Sequence, residues 1–206
     1  HVIVHANRSR DKADAIVSEI IAAGGSAEAV AFDITDRAAT ATALETLGEA
    51  GTIQILINNA GILRDKSFAK MEIADFRTVV DVHLMGAVHC CKAVWPHMVA
   101  QDYGRIVMTT SSTGLYGNFG QSNYGAAKLA LVGLMQTLSL EGAKNNIRVN
   151  ALAPTAATRM TEDLMPEAVL QALKPEAVVP AGCPVSVRGR RVHRADALSL
   201  YTKTAA

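Results

Sequence analysis

The feature that most constrains this chain is its alternation of short apolar runs with longer stretches of helical period. Val2–Val4, Ala29–Phe32, Ile53–Ile57, Arg105–Thr109 and Ile147–Leu152 read as strands. Between them, Ala13, Ile16, Val17, Ile20 and Ile21 follow helical spacing up to a stop at Gly24-Gly25. A second helix is expected from Asp36 to about Glu49, with Asp36 as its N-cap. A third period runs through Phe76, Val79, Val80, His83, Leu84, Ala87, Val88, Cys91, Val94 and Trp95 and is expected to end near Pro96. A fourth covers Ser122–Ala143, through Ala126, Leu129, Val132 and Gly133. Strands alternating with helices imply βαβ units, right-handed crossovers and a parallel sheet. The expected fold is therefore α/β with a doubly wound parallel sheet. The unbroken run Ile53–Ile57 reads as a strand buried on both faces.

Composition removes several classes of function. The 206 residues carry 20 Lys+Arg against 19 Asp+Glu, a net charge of +1. A protein that binds nucleic acid by neutralising phosphates needs a basic excess, so no nucleic-acid partner is expected. Half the residues are hydrophobic, which excludes a disordered chain. Only 4% are aromatic, so the core must be aliphatic. No apolar run is long enough to span a membrane, and no membrane partner is expected. Cys90, Cys91 and Cys183 form no CxxC, and the six histidines are scattered, so neither disulfides nor a metal site is expected. A reducing, cytoplasmic compartment fits this cysteine usage.

The ends of the chain read differently from its middle. It opens on His1-Val2-Ile3-Val4, already inside a strand-like run, and is expected to begin mid-fold. After Pro154 the sequence turns loop-like, with one amphipathic stretch near Pro166–Leu173. Beyond residue 183 the pattern is lost, and Arg188, Arg190, Arg191, His193 and Arg194 crowd together. The expected division is a domain over 1–180 and a divergent, disordered tail over 181–206.

Four groups of residues could carry chemistry. Tyr124 and Lys128 are i and i+4 on an expected helix, so both side chains share a face. A free phenol titrates near pH 10, and a cation one turn away stabilises its phenolate. Such a pair could move a proton to or from a substrate oxygen. Taken alone, the same spacing also describes an ordinary surface pair. Ser111 follows the Arg105–Thr109 strand, at the carboxyl rim where ligands bind in an open parallel sheet. Asn58-Asn59-Ala60-Gly61 follows Ile53–Ile57 at that rim. Its small residues let a flat ligand approach the main chain, or simply make a turn. Asp33 closes its own strand there, as an acceptor for an adenine amine or as a cap.

In this order and spacing, Asp33-Ile34-Thr35-Asp36, Asn58-Asn59-Ala60-Gly61, Ser111 and Tyr124-xxx-Lys128 resemble the short-chain dehydrogenase/reductase family, from residue 1 to about 180. The resemblance implies a Rossmann-like fold that binds a nicotinamide dinucleotide. Tyr124 would be the catalytic acid/base, Lys128 would lower its pKa and hold the nicotinamide ribose, and Ser111 would orient the substrate oxygen. Asp33 and Ile34 would border the adenine, Asn59, Ala60 and Gly61 would line the cofactor, and Asn58 would strap strands together. Where the family usually has a fourth catalytic Asn, this chain has His83 within Val82-His83-Leu84-Met85-Gly86. It is assigned here as catalytic, with a structural histidine at the edge of the core as the other reading.

A narrower similarity runs through Tyr116-Gly117-Asn118-Phe119-Gly120-Gln121, His83, Arg159-Met160-Thr161 and Met165-Pro166-Glu167. It points to (3R)-hydroxyacyl-CoA dehydrogenase domains of multifunctional enzymes, with 3-oxoacyl-carrier-protein reductases also similar. The implied substrate is a 3-oxo or 3-hydroxy acyl thioester, and the implied assembly a homodimer or homotetramer. Thr155 stands where the family has Gly, which puts a nicotinamide contact by Thr158 in question. The first visible strand ends in Asn7-Arg8-Ser9 with no carboxylate. Arg8 could meet a 2′-phosphate, so NADP(H) is favoured and NAD(H) is the alternative. The family's Gly-rich phosphate turn does not occur in the sequence, and the chain is expected to lack its first βα unit. Competing readings are another short-chain alcohol or steroid dehydrogenase and a non-catalytic protein that keeps the fold without binding cofactor.

Overall fold

Each of the five apolar runs forms a strand, and every pairing between them is parallel. The computed structural model describes residues 1–154. In chain order the elements are β1 (Val2–Ala6), α1 (Arg10–Ala22), β2 (Ala27–Ala31), α2 (Arg37–Ala50), β3 (Ile55–Asn58), α3 (Ile73–Val80), α4 (Gly86–Ala100), β4 (Gly104–Thr109), α5 (Ser112–Tyr116), α6 (Ser122–Glu141) and β5 (Ile147–Leu152). The strands form two sheets, β1–β2 and β3–β4–β5, flanked by helices, which is the doubly wound α/β class. The similarity segments from Arg159 to Glu167, Thr155, Thr158, the Pro166–Leu173 stretch and the tail from 181 lie outside the described residues.

Local signals account for the element ends. Asp36 caps α2, its Oδ1 accepting from the amides of Ala38 at 2.9 Å and Ala39 at 3.0 Å. The long helical period is one body with a joint: α3 passes through a π-turn at Asp81–Met85 into α4. The helix does not end at Pro96, as its sequence suggests, but runs on to Ala100. Losing one backbone hydrogen bond at a helical proline costs about 3 kcal/mol. Complete burial of Val94 and Met98 on either side offsets that cost, at about 1.5–3 kcal/mol each.

The main core lies on one face of β3–β4–β5. Leu56, Ile106, Met108, Ile147 and Val149 point to that face and meet Leu44 of α2, Val94 and Met98 of α4, and Leu131 of α6. The run Ile53–Ile57 is therefore not buried on both faces. α4 and α6 pack on the Leu56 side, and Ile55 and Ile57 on the other side remain 43% and 51% exposed. Ala6, Ala13 and Ala29, with Val4 and Val17, make a second, small core between α1 and β1–β2. Asn58 straps β3, its Nδ2 lying 3.4 Å from both Cys91 Sγ and Met108 Sδ.

Candidate active site

A parallel sheet directs all its strand ends one way, so the residues after β3 and β4 share the rim of the larger sheet, and those after β1 and β2 share the rim of the smaller one. From β4 the chain continues to Thr110, whose Oγ1 donates to the Lys128 carbonyl at 2.6 Å. Ser111 comes next and is the N-cap of α5, its Oγ accepting from the Thr113 amide at 3.2 Å. A hydroxyl that accepts at a cap keeps its own proton to donate. Gly117 and Gly120, at φ of 80° and 82°, then turn the chain into α6, which carries Tyr124 and Lys128 in its first two turns.

Lys128 is 3% exposed. Its Nζ donates to the Thr109 carbonyl at 2.6 Å and lies 5.5 Å from the centre of the Tyr124 ring. Burial pushes its ammonium down to about 7. Of the three donors of an ammonium, only the one on Thr109 has an acceptor among the described residues. The remaining pair suits the two adjacent hydroxyls of a ribose, so this donor set fits the nucleoside end of a dinucleotide.

His83 sits in the π-turn, 3% exposed, with its ring edge-on to Tyr124 at 5.1 Å between centres. Nε2 faces the Ile62 carbonyl at 2.8 Å and the Ile62 amide at 3.1 Å, donating to the first or accepting from the second according to the tautomer, and Nδ1 is buried without a partner among the described residues. Burial and then the Lys128 charge lower its pKa to about 3. The imidazole is therefore neutral at physiological pH. A Cβ at Gly61 would stand 2.2 Å from its Cε1, so the loop after β3 closes on the ring only because residue 61 has no side chain. Ala60 packs against the main core. Tyr124, Lys128, His83, Ala60 and Gly61 are thus brought to one place.

Arg8 and Asp33 follow β1 and β2, at the rim of the smaller sheet. Asp33 Oδ1 accepts from the Thr35 hydroxyl at 2.7 Å and the Thr35 amide at 2.9 Å. These bonds hold its carboxyl below the ordinary range, with smaller help from Arg8 and His5. Asp33 therefore shapes its own turn, and Oδ2 takes no hydrogen bond among the described residues. The Ile34 side chain is buried against Gly86, and its carbonyl faces His89 Nδ1 at 2.9 Å. Ser9 stands at the start of α1 without capping it, and Arg8 is exposed. A wide concavity lined by Trp95, Val99, Leu140, Glu141, Lys144 and Asn145 lies at the far end of α6, about 24 Å along the helix from Tyr124, and takes no part in this arrangement.

Sequence reading passed over Thr109, Thr110, Asp65 and Asn123, and named Gln121 only as part of the narrower similarity. Gln121 and Asn123 flank Tyr124 closely enough to have been suspected, but their partners lie in another part of the chain.

A family model described as short chain dehydrogenase matches residues 1–168. The chain is 51% identical over 168 residues to the peroxisomal hydratase-dehydrogenase-epimerase of Saccharomyces cerevisiae, covering 82% of this chain and 19% of that protein. It is 42% identical over 172 residues to a 3-oxoacyl-acyl-carrier-protein reductase of Synechocystis sp., covering 82% of this chain and 70% of that one. The chain thus spans about a fifth of the yeast protein's length. Among solved structures, a short chain dehydrogenase from Mycobacterium avium superposes with a TM-score of 0.80 at 33% identity, over 93% of this chain and 71% of that one.

Proposed function

The chain belongs to the short chain dehydrogenase family, and we propose on that footing that it moves a hydride between a nicotinamide cofactor and a 3-oxo or 3-hydroxy acyl thioester. The observation that carries the reading is Lys128, a buried ammonium one helical turn from a tyrosine at a strand-end rim. The nicotinamide, when bound, supplies or accepts the hydride. In the reducing direction the substrate's carbonyl oxygen takes its proton from the Tyr124 hydroxyl. In the oxidising direction the Tyr124 phenolate takes the proton of the alcohol. Lys128 stabilises that phenolate. Ser111 donates its hydroxyl proton to the same substrate oxygen.

Cofactor contacts follow from position. Lys128 holds the nicotinamide ribose, with Asn59, Ala60 and Gly61 along the bound molecule. Asp33 and the main chain at Ile34 border the adenine. Exposed Arg8 meets a 2′-phosphate, so NADP(H) is preferred over NAD(H). The thioester reading is supported by the names of the yeast and Synechocystis relatives. The acyl carrier is coenzyme A or an acyl-carrier protein. Copies of the chain pair as a homodimer or homotetramer through exposed apolar residues of α6 such as Leu129 and Leu140. The free, buried Cys90 and Cys91 suit the reducing cytoplasm.

The test is 3-oxoacyl-CoA reduction by the protein in its full length, with NADPH and NADH compared. Turnover is expected, faster at low cofactor with NADPH. Tyr124→Phe should lower kcat about 10²–10⁴-fold. Wild-type turnover by Tyr124→Phe would overturn the mechanism.

A further inference from the structure

The segment that delivers Tyr124 is irregular between Gly117 and Gln121, and it is held by a loop from elsewhere. The Gly120 carbonyl accepts from the Lys66 amide at 2.9 Å. Gln121, 6% exposed, uses both ends of its amide. Nε2 donates to Asp65 Oδ2 at 2.7 Å, and Oε1 accepts from Thr113 Oγ1 and Asn118 Nδ2, each at 3.0 Å. Asn123 is fully buried; its Nδ2 donates to the Arg64 carbonyl at 3.0 Å and its Oδ1 accepts from the Tyr124 amide at 2.7 Å. Three consecutive residues, Arg64, Asp65 and Lys66, thus bind the turn immediately before Tyr124. That same loop runs on from Asn59-Ala60-Gly61.

The polarity of this arrangement is specific. Oε1 of residue 121 meets two donors, and Nε2 meets a carboxylate. An amide satisfies both sides; a carboxylate at 121 would satisfy one and repel the other. A network of this kind is tolerated in a buried place only when its members are matched. Gln121 and Asp65 themselves bond no reacting atom; Thr113, which donates to Gln121, also donates its amide to Ser111 Oγ at 3.2 Å. The network fixes where Tyr124 stands relative to the loop that runs past His83 and Gly61.

We propose that Gln121 and Asp65 form a clasp that sets the position of Tyr124 against the 59–66 loop, and that both are positioning residues for the reaction. The proposal rests on the reading of Tyr124 as acid/base. Misplacing a reacting group by about 1 Å can cost about a hundredfold in rate. Opening the clasp should therefore lower kcat more than KM.

The experiment exchanges the two polarities, using the full-length protein. Gln121→Glu sets carboxylate against carboxylate and should lower kcat about ten- to a hundredfold per folded molecule, with KM for the thioester within about threefold of wild type. Hydrogen exchange at the Lys66 amide should accelerate. Asp65 is exposed, so Asp65→Ala opens the clasp without a packing defect, and should lower kcat severalfold with the same acceleration at Lys66. The double variant Gln121→Glu with Asp65→Asn restores every donor–acceptor pair. It should bring kcat to within about threefold of wild type and restore protection at Lys66. Failure of the double variant to improve on Gln121→Glu, or an unchanged kcat in Asp65→Ala, would overturn the proposal. The exchange readout needs no turnover. Rescue of Lys66 protection beside an active Tyr124→Phe would therefore sink the functional reading and keep the contact. An inactive Tyr124→Phe without rescue would sink the clasp alone.

Discussion

His83 is a neutral imidazole because it is buried, and that makes it a stability sensor as well as a neighbour of Tyr124. Its pKa falls from 6.5 to about 3, by burial first and the Lys128 charge second. Between those values the unfolded chain binds the proton that the folded chain refuses. Stability therefore rises with pH through this window, and is lost as pH drops from about 6.5 toward about 3. His83→Asn removes the titrating group and should flatten the dependence. Wild type should lose up to about 1.4 kcal/mol per pH unit more than the variant, read as urea midpoints along a pH series. Equal slopes would show that other groups dominate. At this scale the sequence made some of the site legible. Tyr124 and Lys128 announce themselves because i and i+4 share a helix face. The fit of His83 onto Gly61 does not, because it depends on where two separate elements meet. Gln121 and Asp65 lie 56 residues apart, and nothing in either neighbourhood points to the other.

Elements were legible in proportion to their length and period. β4 follows from the apolar stretch Ile106–Met108, β5 from apolar residues alternating with Arg148 and Asn150, and α2 from the cap signal at Asp36. That cap supports a direct prediction: Asp36→Ala leaves the Ala38 and Ala39 amides without their acceptor and should cost about 0.5–2 kcal/mol, seen as a lower denaturation midpoint with an unchanged m-value. A change below that range would mean that solvent replaces the cap. α5 could not be read, because five residues carry no helical period, and Ser111 reads as a residue of the strand-end rim and not as a cap. The π-turn was equally hidden. Asp81–Met85 keeps the apolar spacing of its neighbours, yet one wider turn re-aims His83 toward Tyr124. Pro96 misled in the opposite sense, because propensity marks it as a stop while tertiary burial of Val94 and Met98 carries the helix on. The face of β3 was misjudged for a related reason: an apolar run states that a strand can be buried on both sides, not which helices arrive to cover it.

The described residues have two cores of unequal size, and their inequality divides the molecule's functions. The main core joins α2, α4, α6 and β3–β4–β5 through Leu, Ile, Val and Met side chains. It fixes Lys128, His83 and the loop at Gly61. The smaller core between α1 and β1–β2 is built from Ala6, Ala13 and Ala29 with only Val4 and Val17 beside them. Alanine buries little area, and stabilisation scales with apolar area removed from water at about 25 cal/mol per Å². The β1–α1–β2 unit should therefore open at lower free energy than β4 and β5, as a partly independent unit. This unit also carries Arg8, and Asp33 follows it directly, at the corner proposed for the adenosine end of the cofactor. A ligand that binds only the closed form stabilises it by mass action. Hydrogen exchange should show amides of α1 and β2 exchanging at least about tenfold faster than those of β4 in the free protein, a gap of about 1.4 kcal/mol. Adding NADPH should slow α1 and β2 more than β4, and Arg8→Ala should abolish the difference between NADPH and NADH in that protection. Equal exchange in α1 and β4 would refute the weak-core argument. Protection confined to Lys128 and the Gly61 loop would remove the Arg8 corner from the proposed cofactor site and leave the proposed catalytic centre where it is.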